Sequence, residues 1–119
     1  MQVETCELPG VLLISPQVHK DPRGYFVETY HEERYRAAGV DVRFVQDNLS
    51  ASSKGVLRGM HAQLKRPQAK LVRCAQGKVW DVVADIRVGS PTFGRCFGAE
   101  LDAESGRQPP IERLARACG

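Results

Sequence analysis

The amino-acid sequence predicts an all-β sandwich or barrel carrying one short helix. Strand-length runs recur at close spacing, turn residues punctuate them, and a single segment has helix-forming composition. No internal repeat or low-complexity segment interrupts this pattern.

The elements follow in order. Val11 to Ile14 is an apolar run of strand length, closed by Ser15-Pro16. Asp21-Pro22-Arg23-Gly24 reads as a turn leading into Tyr25 to Tyr30, which is built of strand formers. His31 to Ala38 is rich in helix formers and stops at Gly39, which suits a C-cap, so the one helix is expected over 31–38. Val42 to Val45 alternates like a strand, and Asp47 to Gly55 is a polar, small-residue loop. Strands are expected again at Val56-Leu57, Lys70 to Cys74, Lys78 to Arg87 and Phe93 to Leu101. Gln76-Gly77 and Gly89 to Thr92 break these runs. After Pro109-Pro110 the grammar changes to a basic, alanine-containing, helix-leaning stretch. A double proline is foreign to a central strand. The all-β pattern is therefore expected to span residues 1–108, with 109–119 as a tail of different character.

A chain of 119 residues is one domain with a modest core, and 42% hydrophobic with 26% charged residues is ordinary for a soluble protein. No apolar run approaches membrane-spanning length, and the first residues carry Glu4 and Glu7 rather than a basic region, so a cytoplasmic protein without membrane contact is expected. The net charge of +3 is spread thinly, with Lys65-Arg66 the one adjacent basic pair, which argues against nucleic acid. A diphosphate held by a few arginines remains compatible. The four cysteines are widely spaced, without a C-x-x-C, and are expected as reduced thiols rather than disulfides or zinc ligands.

Chemistry concentrates in Gly55-Val56-Leu57-Arg58-Gly59-Met60-His61-Ala62-Gln63. Glycine, five residues, then histidine opens the general cupin motif. A metal-binding cupin continues with a second histidine and then an acid, whereas Gln63 and Gln68 stand there in this chain. Neutral amides are poor ligands for transition metals, so no metal is expected.

Five blocks resemble the dTDP-4-dehydrorhamnose 3,5-epimerase family, in its order and near its spacing. They are Asp21 to Tyr30, Phe44 to Ser50, Gly55 to Gln63, Gln68 to Arg73, and Asp85-Ile86-Arg87 with Ser90 to Gly94. The resemblance runs from about residue 3 to residue 101 and implies an incomplete cupin-like jelly roll, free of metal and cofactor. It also implies a nucleotide-sugar substrate of dTDP-L-rhamnose biosynthesis and a homodimer. His61 matches the family's proton acceptor, and Lys70 the lysine beside the substrate ketone. Arg23, Glu28, Gln46, Asn48 and Arg58 match positions that contact the nucleotide-sugar. Taken singly, each has a plainer reading: Arg23 in a turn, Glu28 on a solvent face, Asn48 as a loop former, Lys70 as a solvated strand lysine. Asp81 and Asp85 alternate with apolar neighbours, so either could face the barrel interior near Lys70, but the commoner surface reading leaves both outside the site, and Trp80 and Phe93 are read as core.

The match stops at Pro109, before the segments where the family carries its catalytic tyrosine and the aspartate that orients the base. The abruptness suggests a shifted reading frame and implies impaired turnover. The alternatives are a non-catalytic nucleotide-sugar-binding cupin module, an inactive remnant, and, disfavoured by Gln63 and Gln68, a metal-dependent cupin dioxygenase.

Overall fold

A computed structural model describes residues 1–63, 65, 68–103, 110–112 and 115–118, the side chains beyond 103 excepted. Arg107, Gln108 and Pro109, where the sequence reading expects the family pattern to end, lie outside the described residues. Among the described residues, ten strands and one helix are seen in chain order: β1 Gln2–Thr5, β2 Leu12–Ser15, β3 Val18–Asp21, β4 Gly24–Val27, α1 Glu32–Ala37, β5 Arg58–His61, β6 Ala69–Leu71, β7 Lys78–Ala84, β8 Cys96–Asp102, β9 Pro110–Glu112 and β10 Ala115–Cys118. β5-β10-β7-β8 form one sheet, and β1-β2, β3-β4 and β6-β9 form two-stranded ladders. Every pairing is antiparallel.

β2 explains why its sequence reads as an unbroken apolar run. Neighbouring side chains on a strand point to opposite faces, and both faces here are covered. Leu13 packs with Cys74, Ala99 and Leu101, while Ile14 packs with Tyr35 and Val40. A third cluster joins Leu8, Val11 and Val83.

The β3–β4 turn is the Asp21-Pro22-Arg23-Gly24 segment. Asp21 Oδ1 accepts from the Arg23 amide at 2.8 Å, and Gly24 takes φ 140°, a value that side chains resist. α1 begins at His31, whose Nδ1 accepts from the Arg34 amide at 3.2 Å. Glu32 and Glu33 lie in its first turn, Arg34 and Arg36 in its last, both complementing the helix dipole. Gly39 follows with φ 109°. The expected helix is thus present, and Tyr35 fixes it to the core at 1% exposure.

Five expectations need correction. Val56-Leu57 forms no strand, since β5 begins only at Arg58. The tail is not helical: β9 pairs with β6, and β10 lies between β5 and β7. Backbone pairing with waiting strand edges overrides the local preference of Ala115 to Ala117, and Pro110 takes the first position of its strand, where proline is tolerated. Val42 and Phe44 turn toward the Ile14–Tyr35 cluster, yet residues 41–50 form no ladder. Trp80 and Phe93 are not core, being 53% and 59% exposed. Asp81 and Asp85 are not surface residues, at 2% and 0%. Asp81 shares the inner face of β7 with Val79 and Val83, opposite Ala99 of β8. Asp85 closes the β7–β8 connection from within. It accepts from the Arg87 amide, Nε and Nη2, each at 3.0 Å, and from the hydroxyls of Ser90 and Thr92, each at 2.6 Å.

Candidate functional site

The candidate residues fall into two groups, with Lys70 on a ladder apart from both. One descends the loop that leads into β5. Gln46 Nε2 donates to Asn48 Oδ1 at 3.4 Å. Arg58, the first residue of β5, donates from Nε to Ser52 Oγ at 2.7 Å and from Nη2 to the Ala51 carbonyl at 3.2 Å. Two of its donors thus hold the loop, and the fork leaves others for an anion. His61 ends the same strand, three residues on, and is exposed.

Register places β5 relative to the core. On β10, position 116 is the Cα partner of both His61 and Val83, and position 118 of both Arg58 and Asp81, across a bulge. His61 therefore stands in one row with Val83, and Arg58 in one row with the buried Asp81.

Lys70 lies on a different ladder. It is the middle residue of β6, exposed, and faces position 111 of β9. Leu71 packs onto the Ile14–Tyr35 cluster, so strand alternation turns Lys70 to the other face. Each proposed catalytic strand, β5 and β6, is thus paired along its edge by a strand of the tail.

The second group sits on the β3–β4 hairpin. Arg23 Nη2 meets Asp21 Oδ2 at 2.7 Å on an open surface. Glu28 follows β4 and receives a two-pronged contact from Arg34, Nε to Oε1 at 2.9 Å and Nη2 to Oε2 at 2.8 Å. Hydrogen bonding from Arg34 above all holds the Glu28 carboxyl below its ordinary range, and Arg23 does the same to Asp21.

A small depression between the hairpin and the turn after β6 is lined by Tyr25, Val27, Thr29, Arg73 and Cys74, among others. It holds none of the candidate residues and has room for about one water molecule.

Two supporting residues were not read from the sequence. Ser52 is hidden in the small polar run Ala51-Ser52-Ser53, whose composition signals a loop and nothing more. Arg34 holds Glu28 from six positions away, a spacing with no helical or strand meaning once a turn intervenes.

Short antiparallel strands with a six-residue helix, and a histidine ending the strand that the loop feeds, define a cupin-like jelly-roll protein. The chain belongs to the dTDP-4-dehydrorhamnose 3,5-epimerase family, whose family model matches residues 5–113. The dTDP-4-dehydrorhamnose 3,5-epimerase of Shigella flexneri is 51% identical over 110 residues, covering 91% of this chain and 61% of that relative. The dTDP-4-dehydrorhamnose 3-epimerase of Streptomyces niveus is 45% identical, covering 90% of this chain and 53% of that relative. Among solved structures, the dTDP-6-deoxy-D-glucose-3,5-epimerase of Legionella pneumophila, in complex with dTDP-4-keto-L-rhamnose, superposes with a TM-score of 0.93 at 42% identity. That alignment covers 98% of this chain and 63% of the other. The chain thus spans between about a third and three-fifths of the length of the curated relatives it matches.

Proposed function

We propose that the chain binds a thymidine-diphosphate 4-keto sugar and supplies the proton-abstracting half of its 3,5-epimerisation. The C4 ketone of such a substrate acidifies the C–H bonds at C3 and C5. A base removes the proton, a cation steadies the enolate oxygen, and an acid returns a proton from the opposite face. His61 serves as base, its imidazole offering a ring nitrogen that can accept the proton. Lys70 serves as the cation beside the ketone oxygen. Arg58 and Arg23 take the diphosphate through their N–H donors, while Glu28, Gln46 and Asn48 bond hydroxyls or base edges.

The observation that carries this reading is Arg58. Its guanidinium is oriented by Ser52 and Ala51 at the root of the strand that ends in His61, within a chain of this family. Place in the dTDP-rhamnose and lipopolysaccharide pathway, a cytoplasmic location and a homodimer belong to the same proposal.

Calorimetry with dTDP, followed by proton exchange of dTDP-4-keto-6-deoxyglucose in deuterated water, tests it. Binding that is weakened in Arg58→Ala, together with slow deuterium entry at C3 and C5 that His61→Asn abolishes, is expected. Binding without exchange favours a non-catalytic nucleotide-sugar module. Absence of dTDP binding overturns both readings.

A further inference from the structure

We propose that Arg34 is a positioning residue for the nucleotide-sugar subsite, acting through Glu28. The inference rests on the reading of Glu28 as a substrate-binding residue and adds to it a residue that matches no motif.

Glu28 sits where β4 has ended, on a stretch without ladder partners, and its carboxylate is partly open to solvent. Left alone, a glutamate there samples many rotamers. Arg34 removes that freedom. Its guanidinium meets both carboxylate oxygens in a planar fork, at 2.9 and 2.8 Å. A fork uses one lone pair on each oxygen and leaves the others for a hydroxyl or N–H donor of a ligand.

The fork is itself mounted on a fixed base. His31 caps the amide of Arg34. The next residue, Tyr35, is buried and donates its hydroxyl to the Thr29 carbonyl at 3.0 Å. Tyr30 packs edge-on against Tyr35 with ring centroids 5.1 Å apart. Residues 28–35 are therefore drawn into one closed unit pinned to the Ile14–Val40 cluster, with the Glu28 carboxylate presented at its rim. As a stabiliser this exposed pair is worth little; as a device for presenting one carboxylate in one orientation it is well made. The same arrangement gives α1, a helix of two turns, a role beyond covering β2.

Calorimetric titration with dTDP-glucose tests the proposal. Arg34→Gln is expected to weaken binding about two- to tenfold, the range for losing one pre-ordered side chain, with the melting temperature nearly unchanged. Arg34→Lys, which keeps the charge and loses the fork, is expected to fall on the weakened side. In a Glu28→Gln background the Arg34→Gln penalty should vanish, because its route to the ligand is gone. Unchanged affinity of Arg34→Gln overturns the proposal, as does a penalty that persists in the Glu28→Gln background. If Glu28→Gln binds as tightly as the unaltered chain, the assignment of Glu28 fails and Arg34 with it. No binding by the unaltered chain overturns the whole site.

Discussion

Thr92 Oγ1 donates to Asp85 Oδ2 at 2.6 Å, across the connection between the two longest strands. With Ser90 and Arg87 on the same carboxylate, this contact converts a polar stretch, which reads as a simple turn, into a closed knot around one buried acid.

Replacing Asp85 by alanine is expected to destabilise the chain by about 3 kcal/mol, because it removes the buried carboxylate that Arg87 and two hydroxyls share. Urea unfolding followed by circular dichroism measures it. A loss below about 1 kcal/mol would mean that water replaces the carboxylate at little cost.

The same carboxylate sets an acid limit. Its hydrogen bonds, led by those from Arg87, outweigh burial and hold its pKa far below the ordinary carboxylate range. A depressed folded-state pKa gives stability that is fully present above the unfolded value of about 4 and declines as pH falls further. Unfolding at pH 7 and pH 3 should therefore differ by more in the unaltered chain than in Asp85→Asn. Asp21 and Glu28 shift in the same direction but are exposed, so their share is small.

Ser52→Ala removes the 2.7 Å acceptor of Arg58 Nε. Affinity for dTDP is expected to fall about fivefold, as for one hydrogen bond of about 1 kcal/mol, and Arg58→Ala should cost at least tenfold. Equal affinities in all three proteins would remove Arg58 from the diphosphate site.

Gly98 lies under the Trp80 indole: a Cβ built there would stand 2.6 Å from Trp80 Cζ2. Gly98→Ala should push the half-exposed ring outward, red-shifting tryptophan fluorescence at a cost of about 1 kcal/mol. An unchanged spectrum would show that the ring does not rest on this glycine.

The legibility of the fold varied with how local its causes were. The helix at His31 to Ala38 was readable because its helix-forming run and the glycine that stops it lie within nine residues. The Asp21 to Gly24 turn was readable for the same reason. β1 and β3 passed unnoticed, since Gln2 to Thr5 and Val18 to Asp21 are mostly exposed and polar and become strands through their neighbours. Asp81 and Asp85 show the limit most sharply. Both are aspartates two positions from a valine or alanine, and nothing local says that one faces apolar partners while the other is wrapped by its own loop.

By itself the sequence determined the β-rich class, the single helix, the loop before β5 and the motif order that marks the family, because each is written in neighbouring residues. Tertiary structure decided which strands pair, that the tail joins both β5 and β6, which acids are buried, and that Arg34 reaches Glu28. Those outcomes depend on segments far apart in the chain meeting one another, and the free energy of that meeting exceeds any local preference.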